Sequence, residues 1–141
     1  MEITALGYIG IRSSQLDQWS QMATGLLGMQ QVDRGGSVRA FRMDDRKQRL
    51  FVDGSSDAGL GVMGWEVQTS ADLDRLAGRL DDNRVRVTRG SHAAADERHV
   101  SELIAFSDPA GNPLEAFCKP ALASDPFKAS RPSIPISVFN N

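Results

Sequence analysis

The chain has 141 residues, 40% of them apolar and 24% charged, enough for one domain with a core of its own. Its 16 Lys and Arg against 18 Asp and Glu leave a net charge of −2, which gives no electrostatic ground for a nucleic-acid or anionic-membrane partner. A single cysteine, Cys118, excludes an internal disulfide framework; no apolar run nears the roughly 20 residues of a membrane span, and no leader-like segment follows Met1, so a cytoplasmic protein is expected.

Residues 3–11 are apolar on both faces, which predicts a strand covered on both sides. Ser14-Gln15-Leu16-Asp17 has the form of a capping box opening a helix. Behind it Leu16, Trp19, Ala23, Leu26 and Leu27 recur at helical spacing, and Gly28 stands where a left-handed residue would end the helix. A short strand is expected near 29–33, followed by a turn at Gly35-Gly36. The segments 38–43 and 49–53 then form a hairpin across Asp44-Asp45-Arg46-Lys47.

The second half runs through the same plan. Residues 61–68 alternate, with Met63, Trp65 and Val67 on one face and Val62, Gly64 and Glu66 on the other. Thr69 and Ser70 can cap a helix lined by Leu73, Leu76, Ala77 and Leu80. Residues 85–88 read as a short strand, and 102–107 with 113–118 as a hairpin across Asp108-Pro109-Ala110-Gly111-Asn112. An offset of 54 places Tyr8 on Val62, Gly10 on Gly64 and Leu26 on Leu80. The expected fold is therefore α+β. Two βαβββ modules, about 1–55 and 58–120, would pair into an open cup-shaped mixed sheet with helices outside, forming one domain over 1–120. Residues 121–141, rich in Pro and Ser, read as a linker-like tail leading to a second domain.

Leu6-Gly7-Tyr8-Ile9-Gly10, Trp19, Leu27-Gly28-Met29, Gly64-Trp65-Glu66-Val67 and the run from Phe106 to Glu115 occur in an order and spacing that resemble a known family. They are similar to the N-terminal domain of type I extradiol catecholic dioxygenases, within the vicinal-oxygen-chelate superfamily of glyoxalases, bleomycin-resistance proteins and dioxygenases. The resemblance implies tandem paired-module domains, an Fe(II) site of two His and one Glu in the C-terminal domain, and a homo-oligomer. It implies a parent oxidoreductase of aromatic catabolism that opens a catechol ring. Matched to that pattern, Tyr8 stands at the first ligand position, Val62 at the second and Glu115 at the third, so one ligand of three is retained. The expectation is no catalytic residue, metal or cofactor in this chain, with Tyr8, Val62 and Glu115 as vestigial cup positions and Glu66 as a pocket-lining residue.

Tyr8, Glu66 and Glu115 could meet as an acid/base set, although a hydrogen-bonded remnant is favoured because no nucleophile or metal completes a mechanism. His92 and His99 lie in a polar stretch matching no zinc spacing and read as loop or short helix. Cys118 lacks an activating His and reads as a small hydrophobe, Trp19 and Trp65 as core, and Asp44-Asp45 and Asp81-Asp82 as solvated. The alternative function is a stand-alone, metal-free, dimeric protein of the bleomycin-resistance type, binding a small aromatic or charged ligand in its cup. A third is an enzyme whose metal ligands come from a partner subunit.

Overall fold

A computed structural model describes residues 2–32, 34–55 and 59–130. Its first half holds β1 (Ile3–Arg12), α1 (Leu16–Gln21) running into a π-helical turn (Met22–Leu26), β2 (Gln30–Val32), β3 (Val38–Arg42) and β4 (Leu50–Asp53). The second holds β5 (Gly59–Val67), α2 (Ser70–Asp82), β6 (Thr88–Arg89), α3 (His92–Arg98), β7 (Val100–Ser107) and β8 (Pro113–Pro120). The strands form an eight-stranded mixed sheet in the order β2-β3-β4-β1-β5-β8-β7-β6, with β5 and β8 parallel. The fold is α+β, as expected. The chain divides into two compact units, residues 1–9 with 61–121 and residues 10–60 with 122–141.

In the first unit, strand alternation sorts β5, β7 and β8 into two faces. Val67, Ile104, Ala116 and Cys118 project on one, where Leu73 and Leu76 of α2 close over them as a core. The α2 start follows from its sequence: Thr69 Oγ1 accepts from the Asp72 amide at 3.1 Å, while the Asp72 carboxylate accepts from the Thr69 amide at 3.1 Å. That reciprocal box satisfies two amides that a helix end otherwise leaves orphaned. The opposite face carries Val62, Gly64, Glu115 and Phe117, because Gly64 pairs with Glu115 and Glu66 with Phe117.

In the second unit, β2, β3 and β4 form an antiparallel sheet, with Ala40, Phe41, Leu50, Phe51 and Val52 buried. Gly28 adopts φ 72°, the left-handed conformation expected after the helix.

Several expectations need correction. Ser14 does not cap α1, whose N-cap is Gln15 with no side-chain hydrogen bond. Instead Ser13 Oγ accepts from the Gln15 amide at 3.1 Å, so the local turn takes the hydroxyl one residue earlier. Leu26 and Leu27 are 59% and 56% exposed, not core. The π-helical turn adds a residue to the repeat and rotates both leucines off the face that buries Ala23. Residues 4–6 of β1 are exposed, and only from Gly7 onward does the strand gain cover, because an apolar run does not say what is available to bury it. The strand expected at 85–88 is reduced to Thr88–Arg89, paired with β7.

The expected linker begins differently as well. Residues 122–130 are bound along the second unit: Arg46 bridges Leu122, the Ala123 amide donates to the Asp45 carbonyl at 2.7 Å, and Ser130 Oγ donates to the Met29 carbonyl at 2.5 Å. Arg42, only 2% exposed, anchors this stretch, donating to the Asp44 carbonyl and to the Asp125 carbonyl and carboxylate. A buried guanidinium requires such saturation by acceptors. The rest of the tail, 131–141, lies outside the described residues.

Candidate functional site

Tyr8, on β1, is 3% exposed and stacks on Phe117 of β8, with ring centroids 4.9 Å apart and planes at 21°. Two glycines make the room. A Cβ on Gly64 would lie 2.3 Å from the Tyr8 ring, and one on Gly7 would lie 2.1 Å from the Phe117 ring. The alternating strands thus spend two side-chain positions on ring faces, the close approach that glycine uniquely permits.

The Tyr8 hydroxyl donates to Glu115 Oε2. The same carboxylate receives Arg98 through two parallel bonds, Nε to Oε2 at 3.0 Å and Nη2 to Oε1 at 3.1 Å. This is the fork geometry in which guanidinium and carboxylate fit best. Arg98 also lies 6.0 Å from the centre of the Tyr8 ring. It is delivered by α3, whose start is capped by Ser91 Oγ accepting from the Ala94 amide at 3.1 Å. His99 ends that helix at φ 56°, and Ala95 is buried where α3 packs on β7.

The electrostatics follow from this arrangement. Burial, then the Glu115 carboxylate, pushes the Tyr8 phenol far above its ordinary value, so it stays a neutral donor. For Arg98, burial opposes the charge, but the Glu115 carboxylate outweighs it and holds the cation more firmly than usual. A phenol that does not ionise and a guanidinium that does not deprotonate provide neither base nor nucleophile.

Of the residues singled out in the sequence, Tyr8 and Glu115 are therefore brought together. Val62 is buried on the same face of β5, two residues before the Gly64 that pairs with Glu115. Glu66 is half-buried opposite Phe117, and its backbone carbonyl accepts from Thr4 Oγ1 at 3.2 Å. Two cavities of the same unit, about 580 and 190 Å³, are lined by none of these four. Arg98 was missed. The one available signal was that a carboxylate facing an aromatic interior needs a cation, but 16 Lys and Arg compete for that role.

The remaining candidates separate cleanly. His92 opens α3 exposed to solvent, and Trp19 and Trp65 are half-buried rather than core. Asp81 and Asp82 are exposed, whereas Asp44 is not simply solvated: it receives Arg49 Nη2 at 2.6 Å, and against the cost of burial this holds its carboxyl below the usual range. Cys118 is buried beside Glu102 and Ser70, each 3.8 Å from its sulfur, and burial pushes its thiol up, the opposite of an activated nucleophile.

An Fe(II) ion, which the resemblance implies for a catalytic module, does not fit the residues present here. The Val62 side chain has no donor atom, Tyr8 spends its hydroxyl proton on Glu115, and both Glu115 oxygens are already held by Arg98. Among the described residues, no group of three or more His, Cys, Asp or Glu lies close enough to hold an ion.

The fold recurs in solved extradiol enzymes. A catechol 2,3-dioxygenase crystal structure superimposes with a TM-score of 0.90 and 37% identity, over 95% of this chain and 48% of that one. Residues 6–54 match the family model described as Dihydroxybiphenyl dioxygenase BphC D1. The chain is 35% identical to a biphenyl-2,3-diol 1,2-dioxygenase of Sphingomonas paucimobilis, across 92% of this chain and 44% of the relative. It is 36% identical to a 1,2-dihydroxynaphthalene dioxygenase of Sphingobium xenophagum, with the same coverage. The chain is thus a homologue of part of the extradiol ring-cleaving dioxygenases, and it spans less than half the length of these relatives.

Proposed function

We propose that this chain is the non-catalytic N-terminal domain of an Fe(II)-dependent extradiol dioxygenase that opens a catechol in aromatic-compound degradation. The observation that carries the reading is the similarity, through 92% of the chain, to a ring-cleaving enzyme, and it is supported by the donor set, since the resemblance implies that Tyr8 and Val62 stand where a catalytic module has histidines. The iron, both catalytic histidines and the catechol site then belong to a following module, which the length of the relatives accommodates. In this reading the domain contributes support and subunit contacts within a cytoplasmic homo-oligomer. That no described helix is long and apolar enough to cross a membrane is compatible with this setting.

The whole protein, assayed anaerobically loaded with Fe(II) and then given oxygen and biphenyl-2,3-diol or another catechol, is expected to yield a ring-opened product. Glu115→Gln is expected to keep iron stoichiometry unchanged. A whole protein without ring cleavage on any catechol, or with iron that disappears in Glu115→Gln, overturns the reading.

A further inference from the structure

We infer that Arg98 is the built-in cation of this module, its guanidinium taking the electrostatic place that a divalent metal takes in a chelating module and closing the site to metal ions. The inference deepens the reading above and rests on it for which positions correspond to ligands; the Arg98–Glu115 geometry stands on its own.

Glu115 lies on a strand face among Tyr8, Phe117 and Val62, all nearly removed from solvent. A carboxylate there is tolerable only with its charge compensated and its oxygens hydrogen-bonded. Val62 and Tyr8 leave no set of ligands that could retain a metal to do this. The compensation comes from another element: α3 projects Arg98 so that its fork covers one edge of the carboxylate, and the Tyr8 hydroxyl adds a third donor. Two parallel N–H bonds suit a planar guanidinium and not an ammonium. A divalent ion approaching Glu115 would meet a fixed positive charge already bound to both oxygens. The retained glutamate is thus kept for a different partner, not left over.

The test is a thermal-unfolding cycle on the full protein that carries this chain, with Arg98→Met, Glu115→Gln, the double variant and Arg98→Lys, each with and without Mn²⁺ or Zn²⁺ alone. Arg98→Met is expected to lower the Tm of the transition by roughly 5–15 °C, since it strands a buried carboxylate. The double variant should recover at least about half of that loss, and Arg98→Lys should fall between, keeping charge without the fork. Neither metal should raise the Tm through this site, so any metal-induced rise is expected to be the same in the parent and in Glu115→Gln. If Arg98→Met does not fold, the Arg98→Lys and Glu115→Gln comparisons carry the same decision. Additive losses in the double variant, an Arg98→Met Tm within about 1 °C of the parent, or a metal-induced rise that Glu115→Gln abolishes would each overturn the inference. Ring-cleavage activity plays no part in this readout, so its absence would count against the functional reading alone.

Discussion

Arg98 and Glu115, 17 residues apart in sequence, meet through two parallel hydrogen bonds of 3.0 and 3.1 Å, with the guanidinium over the Tyr8 ring. A helix C-terminus and a strand are joined there by opposite charges that neither could bury alone. Side-chain exposures of 20% and 12% put the pair between a surface salt bridge and a fully dry one. Its weight therefore lies in the cost of breaking it rather than in the attraction itself.

Tyr8→Phe keeps the stack on Phe117 and removes only the hydroxyl that Glu115 accepts. The expected loss is about 1.5–3 kcal/mol, the range for a hydrogen bond to a charged group. Denaturant titration measures it, and the slope of the transition should not change because the same surface is buried.

Tyr8 is the one tyrosine of the chain, so phenolate absorbance of the isolated chain reports this site without ambiguity. Its folded pKa is raised, first by burial and then by Glu115. Stability supplied by the neutral phenol is accordingly complete below the unfolded value of about 10 and is lost as pH climbs beyond it. Phenolate absorbance should appear only as the chain unfolds in alkali, whereas in urea it should rise near pH ~10. Simple titration at that pH in the folded chain would contradict the burial of Tyr8.

Gly64→Ala places a methyl 2.3 Å from the Tyr8 ring, closer than real contacts allow. The ring must move off Phe117, at a cost of roughly 1–3 kcal/mol for overpacking. In a Tyr8→Leu background the same substitution should cost clearly less, and the two-by-two comparison of unfolding free energies checks the coupling.

Thr69→Ala removes one half of the box that starts α2 and is expected to cost about 0.5–2 kcal/mol. Ser14→Ala, at the box that the sequence suggested and the structure does not use, should change stability by less than about 0.5 kcal/mol. Equal effects at both positions would be inconsistent with the observed caps.

Arg42→Met removes the donors that hold residues 122–130 on their unit through Asp125. Limited proteolysis should then cut this stretch several-fold faster, because local opening no longer has to break the guanidinium contacts. Unchanged protection would mean that the backbone bonds of Ala123 and Ser130 suffice.

The sequence by itself determined the alternation of elements, the α2 cap and the Asp108–Asn112 turn. Each is a local matter: a period, or a side chain bonding nearby backbone. The tertiary structure decided the rest. It rotated Leu26 and Leu27 outward through one π-helical turn, bound residues 122–130 to their unit through a buried arginine, and selected Arg98 from 16 basic residues as the partner of Glu115. The physical reason is that burial and charge pairing depend on distance in space. A carboxylate announces its need for a cation in the sequence, but only the packing of α3 on β7 says which cation answers it.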